Sequence, residues 1–158
     1  MIQTGETIDL AFPVRAAIAA EKWEGMLSEL VTRPTIVSVY MRNNTSSCDK
    51  QTQQLQLASA KLDALGVGLI GLSKDTPGSH QKYACKLELD FPLVSDPDHA
   101  FAKAVKSLVE KKMYGKMFMG PTRSAYLIDP QGSVLGVIEK VDSANHAAQL
   151  LELAKALD

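Results

Sequence analysis

An α/β fold, with a central mixed β-sheet flanked by helices, is what this sequence predicts, and three observations predict it. Thr35-Ile36-Val37-Ser38-Val39-Tyr40 is β-rich and mostly apolar, the composition of a buried central strand. After a polar stretch, Leu55, Ala58, Leu62 and Leu65 recur at helical spacing until Gly66 stops the helix, and Val67 to Ser73 reads as a second strand. Near the C-terminus, Ser124 to Ile128 and Val134 to Ile138 flank the turn signal Asp129-Pro130-Gln131-Gly132, an antiparallel hairpin.

The remaining elements fit between these. Thr7 to Pro13 reads as an extended entry segment, and Ala16 to Leu30 has helical composition with loosely spaced apolar residues. Arg33-Pro34 punctuates the chain before the first strand. Met41 to Ser47 is polar, the chemistry of a loop and a helix start. Thr76-Pro77 places a capping hydroxyl before a first-turn proline and opens a helix through about Glu88. Phe91 to Val94 is a short extended piece. Asp96-Pro97 repeats the cap signal, with Phe101, Val105 and Leu108 inward on the helix that follows. Met113 to Thr122 reads as a glycine-bearing loop. Asp142-Ser143 caps a final helix with Leu150, Leu151, Ala154 and Leu157 inward. The order strand, helix, strand, helix, helix, hairpin, helix is the thioredoxin-like arrangement. Without repeats or linkers, residues 1–158 read as a single domain.

Composition excludes several classes of function. The chain is 46% hydrophobic and 22% charged with a formal net charge of -1, and Lys and Arg do not cluster, so no nucleic-acid partner is expected. No apolar run approaches the roughly 18 residues of a membrane span. Met1 to Leu10 lacks the pattern of a secretory signal. Two cysteines do not make a disulfide scaffold, so a reducing, cytoplasmic setting is expected.

Gly66-Val67-Gly68-Leu69-Ile70-Gly71 matches G-x-G-x-x-G, but the glycines follow a helix and run into a strand. A dinucleotide site needs the reverse order, so a helix stop and small residues in a packed strand are expected instead. His80, His99 and His146 lack metal-ligand spacing and read as surface or helix-end residues. Cys48 is different, because it stands where the first strand's C-terminal end meets the start of a helix. Free amide N–H groups and the helix dipole favour negative charge there, hence a thiolate. Thr45, three residues earlier, can reach back toward the sulfur or its target. On position alone, a nucleophilic Cys48 and a buried structural Cys48 are about equally supported.

Beyond this local reading, the chain from Val37 onward resembles the peroxiredoxins, specifically the bacterioferritin comigratory protein or peroxiredoxin Q group. Met41-Arg42-Asn43-Asn44-Thr45-Ser46-Ser47-Cys48 is similar to that family's P-x-x-x-T-x-x-C loop. Gly71-Leu72-Ser73-Lys74-Asp75, Ser79-His80, Phe91 to Asp96, Met113 to Lys116 and Arg123 to Gly132 follow in the family's order. The resemblance implies a thiol peroxidase that reduces hydrogen peroxide or alkyl hydroperoxides. Cys48 would become a sulfenic acid, Thr45 would orient the peroxide, and Arg123 would stabilise the thiolate and the developing negative charge. No metal, haem or flavin cofactor is implied. A peroxide substrate, thioredoxin or a similar dithiol reductant, and a monomeric state are.

The departures from the family pattern are specific. Met41 stands where the family has its first proline, and Ser46 removes the rigid proline of the T-P-G-C core. A second Cys five residues after the first is replaced by Gln53. The resemblance then offers Cys85 as the resolving cysteine, in an intramolecular disulfide with Cys48. The expected resolving position is Ala84, and one residue is about 100° of helix rotation. The Met41 and Ser46 replacements motivate the alternative, a redox-sensing or binding module with weak turnover. A thiol–disulfide oxidoreductase fits less well, since Thr45 stands where a C-x-x-C motif needs its first Cys.

Overall fold

Seven strands form one mixed sheet in the computed structural model, which describes residues 1–19 and 21–157, the side chains of 46, 47, 113 and 118 apart. The strands are β1 (Pro13–Ile18), β2 (Glu21–Met26), β3 (Thr35–Val39), β4 (Gly68–Ser73), β5 (Leu93–Ser95), β8 (Ser124–Ile128) and β9 (Val134–Ile138). Strands β6 (Leu108–Met113) and β7 (Lys116–Pro121) pair only with each other, as a separate hairpin. The helices are α1 (Ser46–Ala64), α2 (Pro77–Leu87), α3 (Ala100–Ala104) and α4 (His146–Ala154). The sheet order is β2-β1-β5-β4-β3-β8-β9. β3, β4 and β5 run parallel, and antiparallel strands complete both sides.

Every residue of β3, β4 and β8 is buried, as expected for strands covered on both faces. Alternate residues feed two cores. Val37, Val39, Ile70, Leu72 and Ile128 face Phe101 of α3 and the N-terminal residues Ile2, Ile8 and Leu10. Ile36, Leu69, Leu93 and Leu127 face α1, α2 and α4. On that second face α1 buries Leu55, Ala58 and Leu62 completely, each leucine contributing about 1.5–3 kcal/mol.

Several sequence expectations are corrected here. Ala16 to Leu30 is not a helix but the β1–β2 hairpin followed by a short 3-10 turn, Leu27–Glu29. Its alanines and glutamates favour helix, yet Val14 and Ala16 alternate inward and β1 pairs with β5, so tertiary pairing overrides propensity. Met113 to Thr122 is not a loop but mostly strand. Tyr114 and Gly115 have φ values of 52° and 75°, the two-residue turn that suits a tight hairpin. Leu108 belongs to β6, so α3 ends earlier than the apolar spacing suggests. Leu65 is 60% exposed and Leu157 39%, each at the end of its helix's inward stripe. The cap signals at Asp96 and Asp142 fall before their helices. Asp96 Oδ2 accepts the Phe101 N–H, and Asp142 Oδ1 accepts the Ala144 N–H. Gly66, with φ 77°, follows α1, while Gly68 and Gly71 lie inside β4, as expected for structural glycines. A Cβ on Gly71 would come within 2.8 Å of Leu93.

Candidate active site

Cys48 lies in the first turn of α1, immediately beyond the loop that leaves β3, and is fully buried. Position alone left open whether it was a structural thiol. Its neighbour bears on that question. Arg123, just before β8, brings Nη2 to 3.2 Å from the Cys48 Sγ, while Nη1 donates to the Ser143 hydroxyl at 3.4 Å. β8 pairs with β3 so that Val39 lies opposite Ser124, and this register carries Arg123 to the end of β3 where α1 begins. The contact puts a fixed positive charge where negative charge would develop in a displacement at this sulfur.

The loop between β3 and α1 is held by buried polar contacts. Tyr40 donates from its hydroxyl to Asn43 Oδ1 at 2.6 Å. The Asn43 backbone N–H donates to Asp75 at 2.9 Å, and its side-chain amide donates to the Ser79 hydroxyl at 3.0 Å. Asn44 takes φ 62°, a conformation that asparagine tolerates better than most residues, and its amide oxygen accepts from Lys86. Asp75 also accepts from the Ser73 hydroxyl. Loop, β4 and α2 therefore form one network. Thr45 caps α1 through its backbone, its carbonyl accepting from the Asp49 N–H at 2.7 Å. Its hydroxyl donates to the Arg42 carbonyl at 3.2 Å, which leaves its oxygen lone pairs to accept a further donor. The Ser46 side chain, whose proline counterpart the sequence comparison singled out, lies outside the described residues.

Two histidines differ from expectation. His80 and His146 are fully buried, not on the surface, whereas His99 is half-buried at the start of α3. Burial pushes His80 down to about 4, with Asp75 and the Val94 backbone opposing. Neutral His80 accepts from the Asn43 amide at Nδ1, 3.2 Å away. Burial also lowers His146, which bridges Ser38 of β3 and Gln149 of α4. Among the described residues no group of three or more His, Cys, Asp or Glu could hold a metal ion.

The sequence brought Cys48, Thr45, Arg123 and Cys85 forward; the fold brings Arg123 onto the Cys48 sulfur, and Thr45 stands at the N-cap of the same helix, three residues before Cys48. Cys85 is separate. It is exposed on α2, whereas Ala84 and Tyr83 face the core that contains Cys48. Asn43, Tyr83 and Lys111 were not singled out. Tyr83 donates to Asp49, the residue after Cys48, at 2.5 Å and lies 2.8 Å from the Thr52 hydroxyl, which ties α2 to α1. Only the matched segments containing Ser73, Asp75 and Ser79-His80 hinted at this network.

The family model described as AhpC/TSA family matches residues 14–137. The chain belongs to this family, in its peroxiredoxin Bcp group. It is 34% identical over 121 residues to Peroxiredoxin Bcp of Xanthomonas campestris pv. campestris, covering 77% of this chain and 76% of that one. Peroxiredoxin Bcp of Bacillus subtilis is 30% identical over 129 residues, covering 82% of each chain. A structure of Xanthomonas campestris Peroxiredoxin Q superposes with a TM-score of 0.83 at 29% identity, covering 93% of this chain and 91% of that one. A structure from work on the alkyl peroxide reduction activity of Xanthomonas campestris bacterioferritin comigratory protein gives a TM-score of 0.86 at 26% identity, covering 98% and 99%. The thioredoxin-like fold and its peroxiredoxin variant are those the sequence predicted. This peroxiredoxin is a thiol-dependent peroxidase, an enzyme that reduces peroxides at the expense of thiols. Among the described residues no helix is long and apolar enough to cross a membrane.

Proposed function

We propose that Cys48 is the peroxidatic nucleophile and that Thr45 and Arg123 complete its site. The Cys48 sulfur attacks one peroxide oxygen, the O–O bond breaks, and water or an alcohol leaves while the sulfur becomes a sulfenic acid. The 3.2 Å contact between Arg123 and the sulfur carries this reading. That guanidinium stabilises the thiolate before attack and the negative charge that spreads onto the peroxide during displacement. Thr45 accepts the peroxide O–H and orients it. Hydrogen peroxide and alkyl hydroperoxides are the substrates.

Cys85 is the resolving thiol in this reading, and thioredoxin or a similar dithiol returns the enzyme to its reduced form. Exposure of Cys85 supports access by a protein reductant. Its disulfide with Cys48 requires α2 to release Tyr83 from Asp49 and Asn43 from Ser79, because one thiol is buried and the other faces solvent. The chain acts as a monomer of one domain in the cytoplasm.

Steady-state peroxide consumption with thioredoxin and its reductase tests these assignments. The wild-type protein and Thr45→Ser turn over, whereas Thr45→Val is slowed and Cys48→Ser is inactive. Cys85→Ser retains its first oxidation but stalls with thioredoxin. If Cys85→Ser turns over normally, Cys85 is a bystander and an external thiol resolves the sulfenic acid. A wild-type protein that forms its sulfenic acid but does not turn over would favour the sensing module instead.

A further inference from the structure

Met41 lies in the loop between β3 and α1 and meets the β6–β7 hairpin at Lys111. It is half-buried and packs against the core that contains Cys48. Lys111 of β6 places Nζ 3.1 Å from the Met41 Sδ and donates to the Pro121 carbonyl at 2.6 Å. Burial, and then the like charges of Arg123 and Lys74, lower the Lys111 pKa, which also places this ammonium in the electrostatic reach of the Cys48–Arg123 pair. A thioether is a weak acceptor, whereas a sulfoxide oxygen is a strong one.

From these contacts we propose that Met41 is a second peroxide-oxidised sulfur, converted to its sulfoxide with the help of Lys111. The step takes as its oxidant the peroxide that the family's reaction consumes, and it does not depend on the roles given to Cys48, Thr45 or Arg123. Sδ attacks the terminal peroxide oxygen through the lone pair that Lys111 does not occupy. The S–O bond forms as the O–O bond breaks. Lys111 gives a proton to the departing hydroxide or alkoxide and recovers one from the S–OH group. The thioether loses two electrons, the peroxide becomes water or an alcohol, and the new sulfoxide oxygen accepts the Lys111 N–H. The Lys111 pKa, shifted down, makes it a better proton donor than an ordinary lysine.

Exposure alone predicts the opposite ranking, because Met117 is 60% exposed, Met119 51% and Met26 41%. Cys48→Ser protein, treated with hydrogen peroxide, digested and weighed by peptide mass over time, decides between them. Met41 sulfoxide is expected to accumulate several-fold faster than sulfoxide at Met117 or Met119. Lys111→Leu is expected to remove that lead, and Lys111→Arg to lose most of it as well, because a guanidinium donates hydrogen bonds but does not give up a proton. Met41 oxidising no faster than Met117 and Met119 would overturn the proposal. So would an unchanged lead in Lys111→Leu. The ranking within the Cys48→Ser sample stands even if Lys111→Leu fails to fold.

Discussion

The two cysteines occupy opposite kinds of surroundings, and that contrast is the ground on which the attacking role is proposed for Cys48. Cys48 is buried at a helix start, with the Arg123 guanidinium at 3.2 Å. Cys85 is exposed on α2, whose Tyr83 and Ala84 face the core that contains Cys48. On the proposed reading, reactivity belongs to the β3–α1 junction, and Cys85 takes part only after α2 moves.

The largest expected effect falls on that contrast directly. Cys48→Ser reduces peroxide consumption to background, whereas Cys85→Ser leaves the first oxidation untouched, as followed by stopped-flow consumption of one equivalent of peroxide. Next, Arg123→Leu slows oxidation of Cys48 by about 10²- to 10³-fold, the scale for removing one preorganised charge donor. Arg123→Lys recovers part of it, because the charge returns without the planar fork. Equal rates for wild type and Arg123→Leu would make the guanidinium a structural neighbour.

A third effect concerns the inner face of α2. His80 is held neutral, at about 4 in the folded chain against an unfolded value of 6.5. Above pH 6.5 the ring is neutral in both states and costs nothing. As pH falls from 6.5 toward 4, the unfolded state binds a proton that the folded state refuses, so stability drops, by roughly 3 kcal/mol at the lower limit. Burial of His146 acts in the same direction. Urea midpoints at pH 7 and pH 4.5 measure the drop, and His80→Gln flattens it; an equal slope in that variant would remove His80 from the account. The smallest effect is at the α1–α2 clasp. Tyr83→Phe loses the bond to Asp49, costs about 1 kcal/mol and speeds formation of the Cys48–Cys85 disulfide. A slower disulfide in Tyr83→Phe would show that the clasp aids resolution.

The central sheet was legible because its strands carry their own evidence. β3 is a continuous apolar run, and β8 and β9 bracket a strong turn. The N-terminal hairpin was not, since Ala and Glu in β1 and β2 express helix propensity that pairing with β5 overrides. Within the site, position left Cys48 evenly open between nucleophile and structural thiol, and the family pattern brought it forward with Thr45 and Arg123. Lys111 was hidden because its role depends on a hairpin read as loop, and the Asn43–Asp75 bond because its partners lie on different elements. Buried His80 and His146 were missed because a lone histidine carries no mark of its burial.

Mixing the reduced protein with one equivalent of hydrogen peroxide at neutral pH, quenching at millisecond intervals and weighing the Cys48 and Cys85 peptides tests the central claim most directly. The account predicts that Cys48 gains one oxygen far faster than a free cysteine does, while Cys85 changes only later, through the disulfide. Oxidation of Cys85 first, or of Cys48 no faster than a free thiol, would contradict it.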